Sequence, residues 1–530
     1  MDDAFAGGRR RSRRTTCQKN KGRILMPLFS LLRGKAAPLG VLLACLWSIT
    51  VLMSTPVSLP GPGEGVHSSS SADFFVLASR VLRAESGTSK PAGIRLLKRV
   101  IGSMEAEDDG NFSGNRTEVD SPWGLHSQLR DILSQISRKG DILPCQRDKD
   151  LLEGAQPTGT FFFALNLYNN EAIMPNLIYQ LLRTISRFPE GRVAVSIYES
   201  GSLDSTPQWL ALFRELLDFF EIRNRVIMGG MVRKPEEERI EFLAKVRNEA
   251  LQPLVEWKAS SDWIASKVIF LNDIFFCPQD VLRLLRNDGD IVCGLDFIRA
   301  MGGLTKGEQR EIMVKDLVKN MGFYQSVADG ISRNYWILKQ WRRFLGKRDA
   351  VLGELPLVFY DKWVSHDAMG LHFLNNAPYV QDEYGKDRIK RGLPFPVDAC
   401  WNGMVVLDAK PFFAGIRSRG HLEGECSGSE CFLMCQDFIR LGYDDIVVDP
   451  GVRVAYTFQD ASDVFSEHVR GIEWVDWKEV QHEKPLRKIA QQKVVECCAL
   501  LAGEDSVDFN RNCYQFDVFD TNYTLLSLVS

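Results

Sequence analysis

The sequence has no excess of charge of one sign. Its 65 Lys and Arg stand against 68 Asp and Glu, a formal charge of −3 over 530 residues. A chain so balanced has no general attraction to a phosphate backbone, and nothing in it points to nucleic acid as a partner. No internal repeat is visible either, which argues against a solenoid or propeller. Apolar content is ordinary at 45%. The length predicts two domains, or one large domain with appendages. Locally, charge is missing altogether from Ala36 to Gly63. The centre of that stretch, LGVLLACLWSITVLM, is long enough to cross a bilayer, which takes about 20 residues. Residues 1–35 before it hold ten Lys or Arg, including RRRSRR at 9–14. Such a basic flank stays in the cytosol. The expectation is a basic tail at 1–35, a single-pass signal anchor at 36–60, and a lumenal body of type II topology in the Golgi or another secretory compartment. A cleaved signal peptide and a mitochondrial presequence are the alternatives.

Ten of the 12 cysteines follow the expected anchor. In an oxidising lumen some of them should pair. Cys426, Cys431 and Cys435 lie close together, and with His421 they would also make a four-ligand zinc set; disulfides are the preferred reading. Asn111, Asn115 and Asn522 head glycosylation triplets outside the folded centre, in keeping with a lumenal body.

Residues 61–155 are rich in Gly, Ser and charge and read as a largely flexible stem. RVLRAESGTSKPAGIRLLKRV and LHSQLRDILSQISR within it carry helical patterns. A regular alternation begins at Thr158. TFFFALNL, RVAVSIYE, NRVIM, KVIFL and DIVCGLDF are short apolar runs that read as buried strands. Between them MPNLIYQLLRTI, STPQWLALFRELLDFF, KPEEERIEFLAKVRNEAL and PQDVLRLLR read as helices, the third opening with Pro235 and three Glu where the helix dipole favours anions. Strands alternating with helices predict an α/β fold: a Rossmann-type sheet, mixed or mostly parallel, with helices on both faces. Such sheets bind ligands at the carboxyl ends of their strands. Asn166, Glu199 and Asp273 interrupt the apolar runs there, so Asp273 can emerge at a binding edge without burying its charge.

Four features come in an order that resembles nucleotide-sugar glycosyltransferases. The first strand ends in a polar loop. IYESGSLDST (197–206) is similar to a DDGSxDxT stretch, KVRNEAL (245–251) to an ARN segment, and FLNDIFF stands where those enzymes carry a D-x-D motif. Longer blocks extend the likeness: NLYNNEAIMPNLIYQLL, RIEFLAKVRNEALQPL, YDKWVSHD, PFPVDACWNGMVVLDAKPF and SECFLMCQDFIRLGYDDIVVDPGVRVAY. Over about 159–457 the chain resembles the fungal cryptococcal α-1,3-mannosyltransferase family, which includes capsule-associated proteins. That resemblance implies a GT-A-like fold at 156–460, GDP-mannose as donor, a mannoside glycan as acceptor, an α-1,3 linkage made with retention, and Mn²⁺ or Mg²⁺ bridging the donor phosphates. Carried onto this chain, it makes Glu199 and Ser200 nucleotide-site candidates. It sets Arg247 near the ribose or diphosphate, Asp273 as metal ligand with Asn272 beside it, and Asp296 as a sugar or metal contact. Trp401, Asn402 and Gly403 become a donor-sugar and acceptor wall, and Asp437 the acid facing the acceptor hydroxyl.

Two departures stand out. Leu271 occupies the position of the first Asp of D-x-D, and no His ends RVAY (453–456) as a further ligand. The block 298–358 has no counterpart in the resemblance and reads as an inserted subdomain or retained non-coding sequence. Residues 461–530 form a C-terminal extension with no assigned role. Asp296, Asp367, Asp398 and Asp437 are all conceivable nucleophiles for a covalent retaining route. In the plainer readings Asp273 caps a helix, Arg247 pairs within its own helix, Asp437 is solvated, and the Trp-Asn-Gly run is a turn. The functional alternatives are a non-catalytic factor in polysaccharide assembly or export, and the same fold acting on a UDP-sugar.

Overall fold

A computed structural model describes residues 69–85, 93–108, 124–260, 263–299, 357–466 and, with short breaks, 469–518. The basic tail, the expected anchor at 36–60, the three glycosylation triplets and nearly all of the block 298–358 lie outside the described residues. Among the described residues no helix is long and apolar enough to cross a membrane.

Four helices come first: α1 (Ser69–Glu85), α2 (Gly93–Asp108), α3 (Leu125–Arg138) and α4 (Lys149–Glu153). The alternating body follows as β1 (Phe161–Leu167), α5 (Met174–Ile185), β2 (Val193–Glu199), α6 (Thr206–Phe219), β3 (Arg223–Ile227), α7 (Arg239–Ser260), β4 (Lys267–Leu271), α8 (Pro278–Leu284) and β5 (Ile291–Arg299). After the undescribed block come β6 (Leu357–Phe359), α9 (Glu383–Lys390), β7 (Phe395–Pro396), β8 (Met404–Asp408), α10 (Lys410–Phe413), α11 (Glu430–Arg440), β9 (Ile446–Ala455), α12 (Phe458–Ser466), α13 (Trp477–Val480) and the hairpin β10 (Val494–Cys498) and β11 (Cys513–Asp517).

Nine strands make one mixed sheet in the order β3-β2-β1-β4-β8-β5-β9-β7, with β6 paired to β5. β1 runs parallel to both β2 and β4, and β2 parallel to β3. The expected parallel run ends at β4. β8 enters between β4 and β5 and is antiparallel to both; β9 then lies parallel to β5. Alternate residues of each strand face opposite layers. Phe161, Phe163 and Leu165 pack with the N-terminal helices, α5, α6 and α8, while Phe162 and Ala164 pack on the layer holding α7 and α11.

The stretch expected to be a flexible stem behaves otherwise over its described residues. Leu97, Ile101, Leu133 and Ile136 are buried in the same core as Phe163 and Leu181. Arg183 joins Glu105 at 2.9 Å, and Arg83 joins Glu215. Gly and Ser content suggested flexibility, yet the apolar stripes of the helices needed a surface, and the body supplies one. The third body helix also differs from expectation. It starts at Arg239, after a turn in which Glu237 N–H donates to Lys234 O, and it runs through Pro253 to Ser260. The three glutamates therefore precede the helix.

Four disulfides join Cys145–Cys277, Cys293–Cys400, Cys426–Cys497 and Cys498–Cys513. Cys431 and Cys435 are free and buried. With Cys426 bonded elsewhere, the zinc alternative loses a ligand, and no cluster of three or more metal-binding side chains occurs among the described residues.

Candidate active site

The carboxyl ends of β1, β4 and β9 converge on a cavity of about 630 Å³, within the size range of small-molecule sites. The geometry has a local cause. β1 is apolar up to Asn166 and β4 is apolar from Val268 to Leu271, so polar side chains from these two strands appear only where the chain leaves the sheet. Asn166 comes from β1, Asn272 and Asp273 from the end of β4, and Tyr456 from the end of β9. β8 starts here because it runs the other way, and Trp401 precedes it into the wall. Arg239 and Arg247 reach in from α7, Tyr360 to Val364 from the segment after β6, and Ser429 to Cys431 from the start of α11. Three cationic side chains (Arg239, Arg247, Lys362) share the lining with three carboxylates, Asp273, Asp361 and Glu430.

Asp273 Oδ2 accepts a hydrogen bond from Asn170 Nδ2 at 3.0 Å. Burial raises its carboxyl above the ordinary value; the Asn170 amide and the Arg247 charge oppose that rise. Emergence at the edge therefore relieves its desolvation only in part. Asn272 Oδ1 accepts from Trp401 Nε1 at 3.3 Å, so the indole orients the amide. Arg247 Nε donates to Glu430 Oε1 at 2.9 Å, and its guanidinium lies 4.7 Å from the Trp401 ring centroid and 4.9 Å from that of Phe270. Its partner is thus on another helix, not its own. Leu271 is wholly buried in β4 and leaves the first D-x-D position without a ligand.

The second acid of the site is Asp361, in the YDKWV run. Its Oδ2 accepts from Asn402 N–H at 3.3 Å. Burial lifts it to about 6, the nearby Glu430 charge adding to the rise and Arg247 opposing it. Beneath it lies Asp296, wholly buried. Asp296 Oδ1 accepts from Asp361 N–H at 3.2 Å, and Oδ2 from the Tyr456 hydroxyl at 2.7 Å. Burial and the charge of Asp361 push Asp296 up to about 8. Two neighbouring carboxylates in a low dielectric disfavour double ionisation. Asp361, Tyr456 and Glu430 received no role from the sequence, although each sits in a matched block; the available signal was an acid two residues past a strand end, Asp361 after Phe359.

The other expected residues are placed differently. Asn402 and Gly403 are not cavity-lining. Asn402 takes φ +57° and Gly403 φ +74°, reversing the chain into β8. A Cβ on Gly403 would come within 3.1 Å of Ile274 Cγ2 and 3.2 Å of Val454 Cγ2. Asn402 Nδ2 donates to Gly294 O at 2.8 Å, fixing the turn that holds Asp361. Glu199 is wholly buried; its carboxylate accepts from the N–H of Ser202 and, at 2.7 Å, of Gly229. Ser200 N–H donates to Leu167 O. Both organise the loops after β2 without lining the cavity. Asp437 is not solvated: Arg419 and Arg440 bind it at 2.8 Å each, and the cavity lining does not include it. Asp367 accepts from four backbone N–H groups, and Asp398 is held by Gln436 and Gln492.

Carboxylates at these strand ends suit a hard cation. Asp273 and Asp361 supply oxygen donors with raised pKa values, and Asn166, in the same lining, has a buried Oδ1 without a hydrogen-bond partner. Among the described residues no three His, Cys, Asp or Glu side chains are close enough to enclose a metal by themselves, so a cation held here would complete its shell with phosphate oxygens and water.

A family model described as Cryptococcal mannosyltransferase 1 matches residues 160–437, a span that contains Asp273, Asp296, Asp361 and Trp401. The chain belongs to this mannosyltransferase family. The curated α-1,3-mannosyltransferase CMT1 of Cryptococcus neoformans is 25% identical over 352 residues, covering 64% of this chain. The chain spans 66% of that relative's length. Among solved structures, the mannosyltransferase PcManGT of Pyrobaculum calidifontis, in complex with GDP-Man and Mn²⁺, is 11% identical over 68% of each chain with a TM-score of 0.27. Glucosyl-3-phosphoglycerate synthase of Mycobacterium tuberculosis, with Mn²⁺ and UDP-glucose, is 15% identical over 59% of this chain and 75% of its own, TM-score 0.24. Likenesses this loose place no residue of the family member described here.

Proposed function

We propose that this protein is a GT-A-like glycosyltransferase that moves mannose from GDP-mannose to a mannoside glycan, forming an α-1,3 linkage with retention. The observation that carries this reading is the cavity at the strand ends, in which Asp273 and Asp361 face Arg239 and Arg247 within the family-matched span. Asp273 and Asp361 would hold Mn²⁺ or Mg²⁺, which when bound neutralises the charge of the departing diphosphate. Arg247, braced by Glu430, and Arg239 add fixed positive charge for the same oxygens. Tyr456 and Asp296 hold the Asp361 backbone and so its carboxylate.

The retained configuration is best served by attack on the face that the diphosphate leaves. The acceptor oxygen bonds to the anomeric carbon as the carbon–phosphate-oxygen bond breaks, and the acceptor proton passes to a diphosphate oxygen. A covalent route needs an open carboxylate. Asp296 is closed under Asp361 and Tyr456, Asp437 is doubly ion-paired, and Asp367 and Asp398 are buried in hydrogen bonds; of the acids that line the cavity, Glu430 is paired with Arg247, and Asp273 and Asp361 would hold the cation. The reading includes a lumenal body behind the anchor expected at 36–60. The four disulfides support an oxidising compartment.

The test is transfer from GDP-mannose to α-mannobiose by the detergent-solubilised full chain, with Mn²⁺ or with EDTA. Asp273→Asn and Asp361→Asn are each expected to lower kcat at least 100-fold with unchanged circular dichroism. A fully active Asp273→Asn, or transfer only from UDP-sugars, would refute the proposal. GDP binding with no transfer to any mannoside would favour the non-catalytic reading, which the buried Leu271 at the first D-x-D position keeps specific.

A further inference from the structure

The cavity has a wall that the matched span does not supply. Val507 and Phe509 line it from the C-terminal extension, beyond residue 437 where the family match ends. This extension is tied down at several points. Cys498–Cys513 closes its hairpin, and Cys426–Cys497 bonds it to the loop that leads into α11. The Trp363 indole N–H donates to Cys498 O at 2.7 Å. Glu496 N–H donates to Gly370 O at 2.8 Å, and Leu500 N–H to Ser427 O at 3.1 Å. β10 thereby laces together the two segments that bring Asp361 and Glu430 into the cavity. Phe509 is half-buried, with the Lys362 ammonium 3.6 Å from its ring centroid.

We propose that Phe509 and Trp363 form the acceptor subsite, a platform for one hexopyranoside ring, and that the C-terminal hairpin sets which acceptor is used. An aromatic ring in a partly dry wall takes an apolar face, and a pyranoside offers one through its C–H groups. Lys362, which lies against Phe509, can donate to the hydroxyls at the ring's edge. The donor diphosphate belongs to the other wall, where β1, β4 and α7 bring Asn166, Asp273, Arg239 and Arg247. The proposal rests on the transferase reading but concerns the half of the site farthest from the D-x-D position in sequence.

Calorimetry on the full chain separates the two. GDP binding is measured with Mn²⁺, and α-mannobiose binding with and without GDP, for the wild type, Phe509→Ala and Phe509→Trp. Phe509→Ala should weaken mannobiose binding about tenfold and leave GDP binding unchanged, while Phe509→Trp should retain both. Equal mannobiose binding by Phe509→Ala and the wild type would overturn the proposal. So would a parallel loss of GDP affinity, which would make Phe509 a nucleobase platform, or a wild type that binds GDP and no mannobiose. A wild type that binds no GDP would sink the transferase reading, and the nucleotide-free mannobiose arm would still judge the subsite.

Discussion

Buried carboxylates in this protein differ sharply in what surrounds them. Asp437 and Glu425 share two arginines, Arg419 and Arg440. Asp280, in the first turn of α8, is buried, and its clearest hydrogen bond is from Cys277 N–H at 2.7 Å. Burial pushes it up to about 8, the Asp148 charge adding to the rise and Arg283 and Arg147 opposing it. The folded value lies above the unfolded value of about 3.9. Its stabilisation is therefore complete below that unfolded value and is lost as pH rises through about 8. Asp280→Asn keeps an acceptor for Cys277 N–H and removes the titration. We expect its melting temperature to fall less than that of the wild type between pH 5 and 8; parallel curves in differential scanning calorimetry would count against this account. A sequence reader sees Asp280 as an ordinary first-turn acid favoured by the helix dipole. Its burial comes from packing that local sequence does not display.

At the level of elements, the five body strands and the helices between them were legible because periodicity is local. KVIFL coincides with β4, Lys267–Leu271, and the acid after it does reach the cavity. β8 was not legible as a sheet member between β4 and β5, because MVVLD has no local mark of antiparallel partners on both sides. The pairing of β5 with β6 also bears on the block without a counterpart. Arg299 lies opposite Leu357 and Ile298 opposite Val358, so the chain leaves and re-enters the described body at adjacent points of one hairpin. Replacing residues 300–356 by a short Asn-Gly turn is accordingly expected to preserve the fold, since such turns join antiparallel strands. Circular dichroism and the melting temperature should stay within a few degrees of the full chain. Collapse of the cooperative transition would show that the block is part of the body's core.

Across the whole molecule, the boundary expected at about residue 155 does not separate a spacer from a body. α2 and α3 bury Leu97, Ile101, Leu133 and Ile136 against it, and Cys145 bonds Cys277 across 132 residues. Each such apolar side chain is worth about 1.5–3 kcal/mol when fully buried, and a disulfide closing so long a loop about 4–5 kcal/mol. A secreted chain starting at residue 150 should therefore aggregate or fail to leave the cell, while one starting at residue 69 should elute as a folded species. Equal yields of both by size-exclusion chromatography would restore the spacer reading. The sequence by itself determined the α/β alternation, the acids waiting at the strand ends and the family resemblance, because these are carried by residues a few positions apart. Only the tertiary structure decided that β8 splits the parallel run, that Asp361 stands over Asp296, that Asp437 is consumed by arginines and that the C-terminal hairpin reaches the cavity. Those outcomes depend on which distant segments pack together, and the free energy that selects among them is a sum over contacts of the whole chain.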